Sequence, residues 1–423
     1  MKSTAPQHWI LGLLLTIGAG VAIADVVGPA RSSTYDPQTG QARAERTTIA
    51  TNTPLSVVIP VFDPGLDGDP PKPYHKDEKW DQVFDEIRRT EANLIAVNLR
   101  DALRDTGLFE KVRVTPSAQA IGELYLVGRI MRSNSEDFHL QVQVMDISQR
   151  EWLNDIYKIR VDESDVSETA RLRNVDPYEA LYAEIVDDLL AALAKRDDRD
   201  LRELQGIADM VFASSYSEDT FGRYLGEDRV RVRTGERTTR ISVTTLEGLP
   251  AAGDEQYARI AAIRTKEELF LDDLQRNYDE FSGRVAPVYG EWQTDAYPLA
   301  VDARQERAKT TRRKVFAGLL AAAGVAAGSE STDARTIALA GSAALAYTAY
   351  RSSRQYNALR ESLSELGESV DIQLAPTNVE FEGRTQTLEG NAAKQYQDMR
   401  NFLRDVYAEE ATPDRPLVIE EDL

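Results

Sequence analysis

The chain has 423 residues, no cysteine and a formal net charge of −20 at pH 7. Without cysteine it forms neither a disulfide nor a thiolate metal site. The negative charge argues against a nucleic-acid-binding protein, because binding to phosphates needs a basic surface that displaces counterions. The length allows two or three domains, each with its own hydrophobic core.

The N-terminal segment has the pattern of an export signal. Lys2 precedes the apolar run Ile10–Val21, and Ala22–Ala24 has the small-x-small pattern of a cleavage site. Because the run is short for a membrane span of about 20 residues, we predict a cleaved signal peptide over residues 1–24 rather than an anchor. Residues 25–53, which are rich in small polar side chains, are predicted to form a disordered leader. An exported, cysteine-free chain fits the oxidising bacterial periplasm.

A first folded unit is predicted over residues 54–195, in the order strand, helix, three or four strands, helix. The β-branched run Leu55–Phe62 predicts a strand covered on both faces. The alternation Phe138–Val144 predicts a sheet with one solvated face, and it places His139 on that face. The remaining predicted elements are strands at 111–115, 123–131 and 152–161, and helices at 80–104, with a cap at Gly107, and at 177–194.

The next region, 201–310, is predicted to be mainly helical, with an irregular hairpin at 230–246. Apolar residues at helical spacing over 254–281 predict a helix long enough to need a partner helix, and another helix is predicted after Pro287 and Pro298. A small β-β-α unit at 368–410 and an acidic tail at 411–423 are predicted to follow. Together these patterns predict an α+β fold, in which an N-terminal strand-helix-multistrand-helix sandwich domain precedes a mainly helical region.

Two runs of small apolar residues, 316–328 and 337–350, predict an Ala/Gly-rich helical hairpin over 311–367. Each glycine inside a helix costs about 1 kcal/mol relative to alanine, so close helix packing is the expected compensation. These runs resemble the glycine-zipper segments of outer-membrane-associated proteins. The candidate membrane-contact or helix-packing residues are Gly318, Ala321, Gly324, Gly328, Gly341 and Ala344.

Three interpretations of this hairpin remain open: a membrane-inserted or membrane-associated hairpin, a packed soluble hairpin, and an oligomerisation surface. Basic residues at 312–314 and at 351 and 354 would lie on the same side of the hairpin, as the positive-inside pattern requires. Neither run reaches the roughly 20 residues of a full span without its flanks.

Catalytic signatures are missing from the sequence. No HExxH, GxSxG, Walker A or SxxK motif occurs, and after removal of the signal peptide only His75 and His139 remain as histidines. The loop with Asp63, Asp67 and Asp69 partly matches a calcium loop, but Tyr74 occupies the position of the bidentate carboxylate. We therefore predict a non-enzymatic protein with no cofactor and no metal site.

Several features of the first unit are shared with known envelope domains. They are an opening strand at Val57–Phe62, a helix that ends in the corner Gly107–Phe109, a "yxLxGxI"-like strand at Tyr125–Ile130, and a strand that ends at Asp146 before a turn. In these features the segment Leu94–Leu153 resembles the curli-secretion CsgG-like family, penicillin-binding-protein activator lipoproteins, the N-terminal domain of TolB and auxiliary components of ABC-type lipid transporters. The resemblance implies a non-catalytic domain that binds envelope proteins or assembles into rings. The chain lacks the lipobox cysteine of several of these families, which argues against a lipid anchor.

These observations predict a non-enzymatic, exported cell-envelope protein in the periplasm. It is expected to associate with the outer or inner membrane through the Ala/Gly-rich hairpin and to bind an envelope protein through residues 54–195. The alternative is a soluble periplasmic assembly subunit that forms homo-oligomers through the same hairpin.

Overall fold

The computed structural model describes residues 53–66, 85–173, 175–234, 237–322, 354, 357–358 and 371–411. Within these ranges helices and strands are both abundant, which confirms the α+β class. The predicted signal peptide, nearly all of the leader, most of the Ala/Gly-rich hairpin and nearly all of the acidic tail lie outside the described residues. Those assignments therefore stay predictions.

A five-stranded sheet forms the centre of the N-terminal unit, with the strand order β2-β1-β3-β4-β5. β1 pairs in parallel with β2 and β3, whereas β3, β4 and β5 form an antiparallel meander. Four strands follow the first helix, where the sequence predicted three or four. The strands are β1 Ser56–Pro60, β2 Lys111–Thr115, β3 Leu124–Ser133, β4 Asp137–Asp146 and β5 Glu151–Arg160.

Helices α1 (Asp85–Asp105) and α3 (Glu179–Leu193) pack on this sheet, and the short helix α2 (Glu168–Leu172) lies between them in the chain. Gly107 ends α1 as predicted: its φ is +65°, a conformation that costs glycine little, and its N–H donates to the Arg104 carbonyl at 3.0 Å.

The alternation predicted along β4 is confirmed, because Phe138, Leu140, Val142 and Val144 are fully buried. His139, which we predicted to be solvated, is half-buried. Burial, together with the nearby Arg132 guanidinium, lowers the pKa of His139 to about 4. Arg132 on β3 and Lys158 on β5 are the cross-strand neighbours of this histidine, and their long side chains limit the access of water to its ring.

The region predicted as helical begins with helices α4 (Asp198–Tyr216) and α5 (Glu218–Phe221) and a 3₁₀ turn, but it then contains a regular β-hairpin. β6 (Leu225–Thr234) and β7 (Arg237–Leu246) pair over their full length without a register shift. The predicted hairpin is confirmed, but it is regular rather than irregular, because valine, isoleucine and threonine alternate with polar residues at the period of a strand.

The longest element is helix α6, which runs over 68 residues from Glu255 to Ala322 and is about 100 Å long. Pro287 and Pro298 lie inside it, so the prediction of two helices separated near these prolines was wrong. A proline removes one helical hydrogen bond, but buried Tyr289 and Ala300 follow the two prolines and keep the helix on the body. Helix α1 is the partner helix that the sequence predicted for this region.

The C-terminal part has the predicted β-β-α order. Strands β8 (Gln373–Phe381) and β9 (Arg384–Asn391) form a hairpin, and helix α7 (Ala392–Ala411) follows directly. α7 packs on the first half of α6, where the Tyr396 hydroxyl donates to Glu267 Oε1 at 2.5 Å.

Helix α6 also seals the outer edge of the sheet at β2. The buried Gln275 side chain accepts a hydrogen bond from the Val114 N–H at 2.9 Å through Oε1, and its Nε2 donates to the Val114 carbonyl at 2.8 Å. This amide replaces the contacts that a neighbouring strand would make. The edge strand is thereby covered by a helix.

Replacing Gln275 with leucine is expected to lower the free energy of unfolding by about 2–4 kcal/mol, because two buried backbone groups lose their partners. Urea denaturation measures this change. Gln305→Leu is the matched control, since Gln305 is exposed on the same helix. Equal stability of the two variants would contradict the role of Gln275.

Candidate functional site

Helix α6 follows the sheet with a buried stripe whose side chains become smaller along the chain. Bulky residues occupy the stripe from Tyr278 to Trp292, and alanines occupy it from Ala296 to Ala303. The spacing of three to four residues is that of one helix face. The helix is therefore held most firmly in its middle and has less buried side-chain surface at the point where it leaves the body.

A buried polar cluster fixes the middle of α6. The Tyr289 hydroxyl donates to Glu91 Oε1 at 2.7 Å, and the Ser133 hydroxyl donates to the same oxygen. The Tyr178 and Tyr289 hydroxyls are 3.0 Å apart, and Gln293 Nε2 donates to the Tyr178 hydroxyl at 3.1 Å. The cluster thus links α1, β3, the residue before α3 and α6.

Glu91 is the charged member of this cluster, and it is completely buried. Burial raises its pKa above the ordinary value of 4.5, although the nearby Arg88 guanidinium partly opposes the shift. Its Oε2 has no hydrogen-bond partner among the described residues. Its hydrogen bonds go to other parts of the fold, so we assign this side chain to holding the helix in place.

Near its C-terminal end, α6 makes an ion pair with the turn between β3 and β4. Arg304 Nε donates to Glu136 Oε1 at 2.7 Å, at the turn between β3 and β4. Among the described side chains, this is the last hydrogen bond or ion pair that joins α6 to another part of the fold. Ala322 lies 18 residues further along the helix, or about 27 Å.

Gly318 and Ala321 lie on the part of α6 beyond Arg304, where the backbone is helical. The structure places them three residues apart on the helix, and nothing else about them is described. Gly324, Gly328, Gly341 and Ala344 lie outside the described residues. Their close packing stays a prediction. No helix in the described ranges has both the length and the apolar content that a membrane crossing requires.

The hairpin β6–β7 has a basic face that the sequence analysis did not identify. Arg229, Arg231 and Arg240 are exposed, and the strand register places them on one side with Ser242. We call these three arginines the arginine face. The alternation Arg-Val-Arg-Val-Arg from residue 229 to 233 was the signal that could have revealed it.

The hairpin β6–β7 and the part of α6 beyond Arg304 are attached at opposite ends of the sheet. The Thr244 N–H of β7 donates to the Ser148 carbonyl, in the turn between β4 and β5, at 3.1 Å. Arg304 contacts Glu136 at the other end of β4. A strand of ten residues separates the two points by about 33 Å.

The partial calcium loop shows no metal site in its described part. Asp63 Oδ1 accepts a hydrogen bond from the Gly65 N–H at 2.7 Å, and Asp63 Oδ2 lies 3.3 Å from Arg129 Nη1. Asp67 and Asp69 lie outside the described residues. Within the described ranges, no group of three or more histidine or carboxylate side chains is arranged to hold a metal ion.

No protein-family model matches the chain, and neither a curated protein nor a solved structure matches it. The predicted resemblance to CsgG-like and related envelope domains therefore stays a prediction that depends on the residues quoted above.

The substitution Glu91→Gln tests the assignment of the polar cluster. Because burial raises the pKa of Glu91 in the native state, the contribution of this residue to wild-type stability falls as pH rises above about 4.5, the ordinary value of the group. Glutamine has no such cost, so the stability of the variant relative to wild type should increase between pH 5 and pH 8. Urea denaturation across this pH range measures the difference.

The control for this pH series is Glu280→Gln, which changes an exposed carboxylate on α6. If the Glu91→Gln difference does not depend on pH, Glu91 is not held as a buried acid.

Proposed function

We propose that this chain is a non-enzymatic, exported protein of the cell envelope. In this proposal the Ala/Gly-rich hairpin, residues 311–367, associates with a membrane, and the N-terminal domain, residues 54–195, binds an envelope protein. Export follows from the signal-peptide pattern of residues 1–24.

The observation that carries the proposal is that α6 continues, as one helix, beyond its ion pair with Glu136. Phe316, where the first small-residue run begins, is 12 residues beyond Arg304, or about 18 Å along the helix axis. The buried contacts of Tyr289, Trp292 and Gln293 fix the direction of the helix. A small-residue run held in this way can reach a bilayer while the folded body stays in water.

The charge distribution supports the same arrangement. The chain has a formal charge of −20, so an anionic membrane repels the body as a whole. The sequence places the basic residues Arg312, Arg313 and Lys314 directly before the small-residue run. Basic residues at this position favour contact with anionic head groups next to an inserted segment.

The sheet offers a surface for the proposed envelope partner. β2 is covered by α6, whereas β5 is the outer strand at the other edge of the described sheet. β5 has ten residues, and Asn154 and Asp155 near its centre are exposed. An outer strand of this length provides backbone groups to which an extended segment of a partner can pair.

Replacing residues 316–350 with a Gly/Ser linker of equal length tests the membrane contact. We expect most of the wild-type protein to stay with membranes after carbonate extraction, and most of the linker variant to become soluble.

Size-exclusion chromatography with light scattering distinguishes the proposed membrane-associated protein from the alternative, a self-associating assembly subunit. An unchanged oligomeric state with lost membrane retention supports the proposal. Wild-type protein that is wholly soluble, together with a smaller oligomer for the linker variant, would favour the self-associating assembly subunit instead.

A further inference from the structure

The hairpin β6–β7 has a surface that the proposed function does not use. We propose that its arginine face binds the phosphate head groups of an anionic phospholipid bilayer. This contact is separate from the one made by the small-residue run, because the two leave the body at opposite ends of the sheet.

The strongest evidence is a cross-strand pair of like charges. Arg231 on β6 lies directly opposite Arg240 on β7, and both side chains are exposed. Directly opposed residues have Cβ atoms about 4.5–5.5 Å apart, and two positive charges at this distance repel each other. No acidic side chain forms an ion pair with either arginine in the part of the chain that the structure describes. A bound anion between them would remove the repulsion.

Arginine is the residue type best suited to phosphate. Its planar guanidinium donates two parallel hydrogen bonds to phosphate oxygens, which lysine cannot do. Arg229 and Arg231 are two residues apart on the same side of β6, so they are spaced by about 7 Å along the ribbon. The three arginines therefore form a short row that presents guanidinium groups to a plane.

The position of the row keeps it away from the acidic body. Thr244 bonds to the body at Ser148, and Arg240 lies four residues further along β7, or about 13 Å away. This distance exceeds the Debye length of about 8 Å at physiological ionic strength, so the charge of the body is largely screened at Arg231 and Arg240. Arg229 lies closer to the body, because it pairs with Ser242, whose hydroxyl donates to Glu227. Between Arg229 and Arg240 the sequence has five arginines and one acidic residue, Glu236.

A bilayer fits these features better than a nucleic acid does. A two-stranded ribbon that enters the major groove of DNA has nucleic acid on both of its sides. A planar surface touches only one side of the hairpin. On the other side Val230, Val232 and Ile241 are half-buried, which leaves the arginine side as the one turned to solvent.

The test is sedimentation of the mature chain with vesicles of phosphatidylcholine alone and with vesicles in which about a third of the lipid is phosphatidylglycerol. Binding to the anionic vesicles should exceed binding to the neutral ones, and it should weaken as salt is added. The double variant Arg231→Gln/Arg240→Gln should bind the anionic vesicles roughly 30-fold more weakly, since each arginine at such a surface contributes about a factor of five.

The matched control is Arg276→Gln/Arg284→Gln, which removes the same charge from exposed positions on α6. Its binding should equal that of wild type. Both double variants should have the same midpoint of urea denaturation as wild type, which would show that the hairpin variant is folded.

Two outcomes would overturn the proposal. The first is equal anionic-vesicle binding by wild type and the hairpin variant, or an equal loss in both doubles, which would indicate a general charge effect. The second is a hairpin-dependent interaction with a single-stranded oligonucleotide or an acidic peptide, but not with vesicles. The linker replacement of residues 316–350 separates this proposal from the proposed function: it should reduce retention on neutral vesicles and leave the additional binding to anionic vesicles unchanged.

Discussion

The attachment of helix α6 to the edge strand β2 determines the arrangement of the rest of the molecule. Four residues of a helix rise about 6.0 Å, and two residues of a parallel strand rise about 6.6 Å, so a helix beside a strand can repeat its contacts turn after turn. Lys111 pairs with Glu268 at 2.5 Å, and Arg113 pairs with Asp272 at 2.7 Å. Gln275 makes the next contact, with the backbone of Val114.

The buried contacts in this series contribute more than the ion pairs do. Ion pairs that are partly exposed to solvent contribute little, whereas a buried backbone group without a partner costs a full desolvation penalty. Gln275 and the cluster around Glu91 and Tyr289 therefore fix the position of the helix. A helix of this length would not be stable alone along its whole course, because most helical stability in proteins comes from packing. Its buried part thus supports the part beyond Arg304.

Much of the fold could be predicted from local patterns. The alternation in β4, the cap at Gly107 and the β-β-α order at the C-terminal end each depend on neighbouring residues, and the structure confirms them. Predictions that depend on distant contacts were less successful. Proline usually ends a helix, but packing on both sides of Pro287 and Pro298 keeps α6 continuous. His139 alternates outward as predicted, but the side chains of neighbouring strands limit its exposure.

The small-residue positions on α6 and the arginine face differ in how far the sequence alone could reveal them. Gly318 and Ala321 were identified from composition, and the structure adds that they lie on the same continuous helix that packs on the sheet. The arginine face was missed because each strand, considered alone, is a mixture of charged and apolar residues. Pairing of the two strands places Arg231 opposite Arg240 and creates the basic surface. Register between strands is a tertiary property, so the sequence of one strand does not reveal it.

The central claim is that α6 is one continuous helix, fixed on the sheet and extended beyond it. Because the chain has no cysteine, spin labels attach only to the two cysteines introduced by Arg276→Cys and Lys309→Cys. Both positions are exposed, and the two prolines of α6 lie between them. Double electron–electron resonance spectroscopy should give a single narrow distribution of distances between the two labels, centred at about 50 Å, which is the rise of 33 helical residues. A broad distribution, or a clearly shorter distance, would contradict the claim.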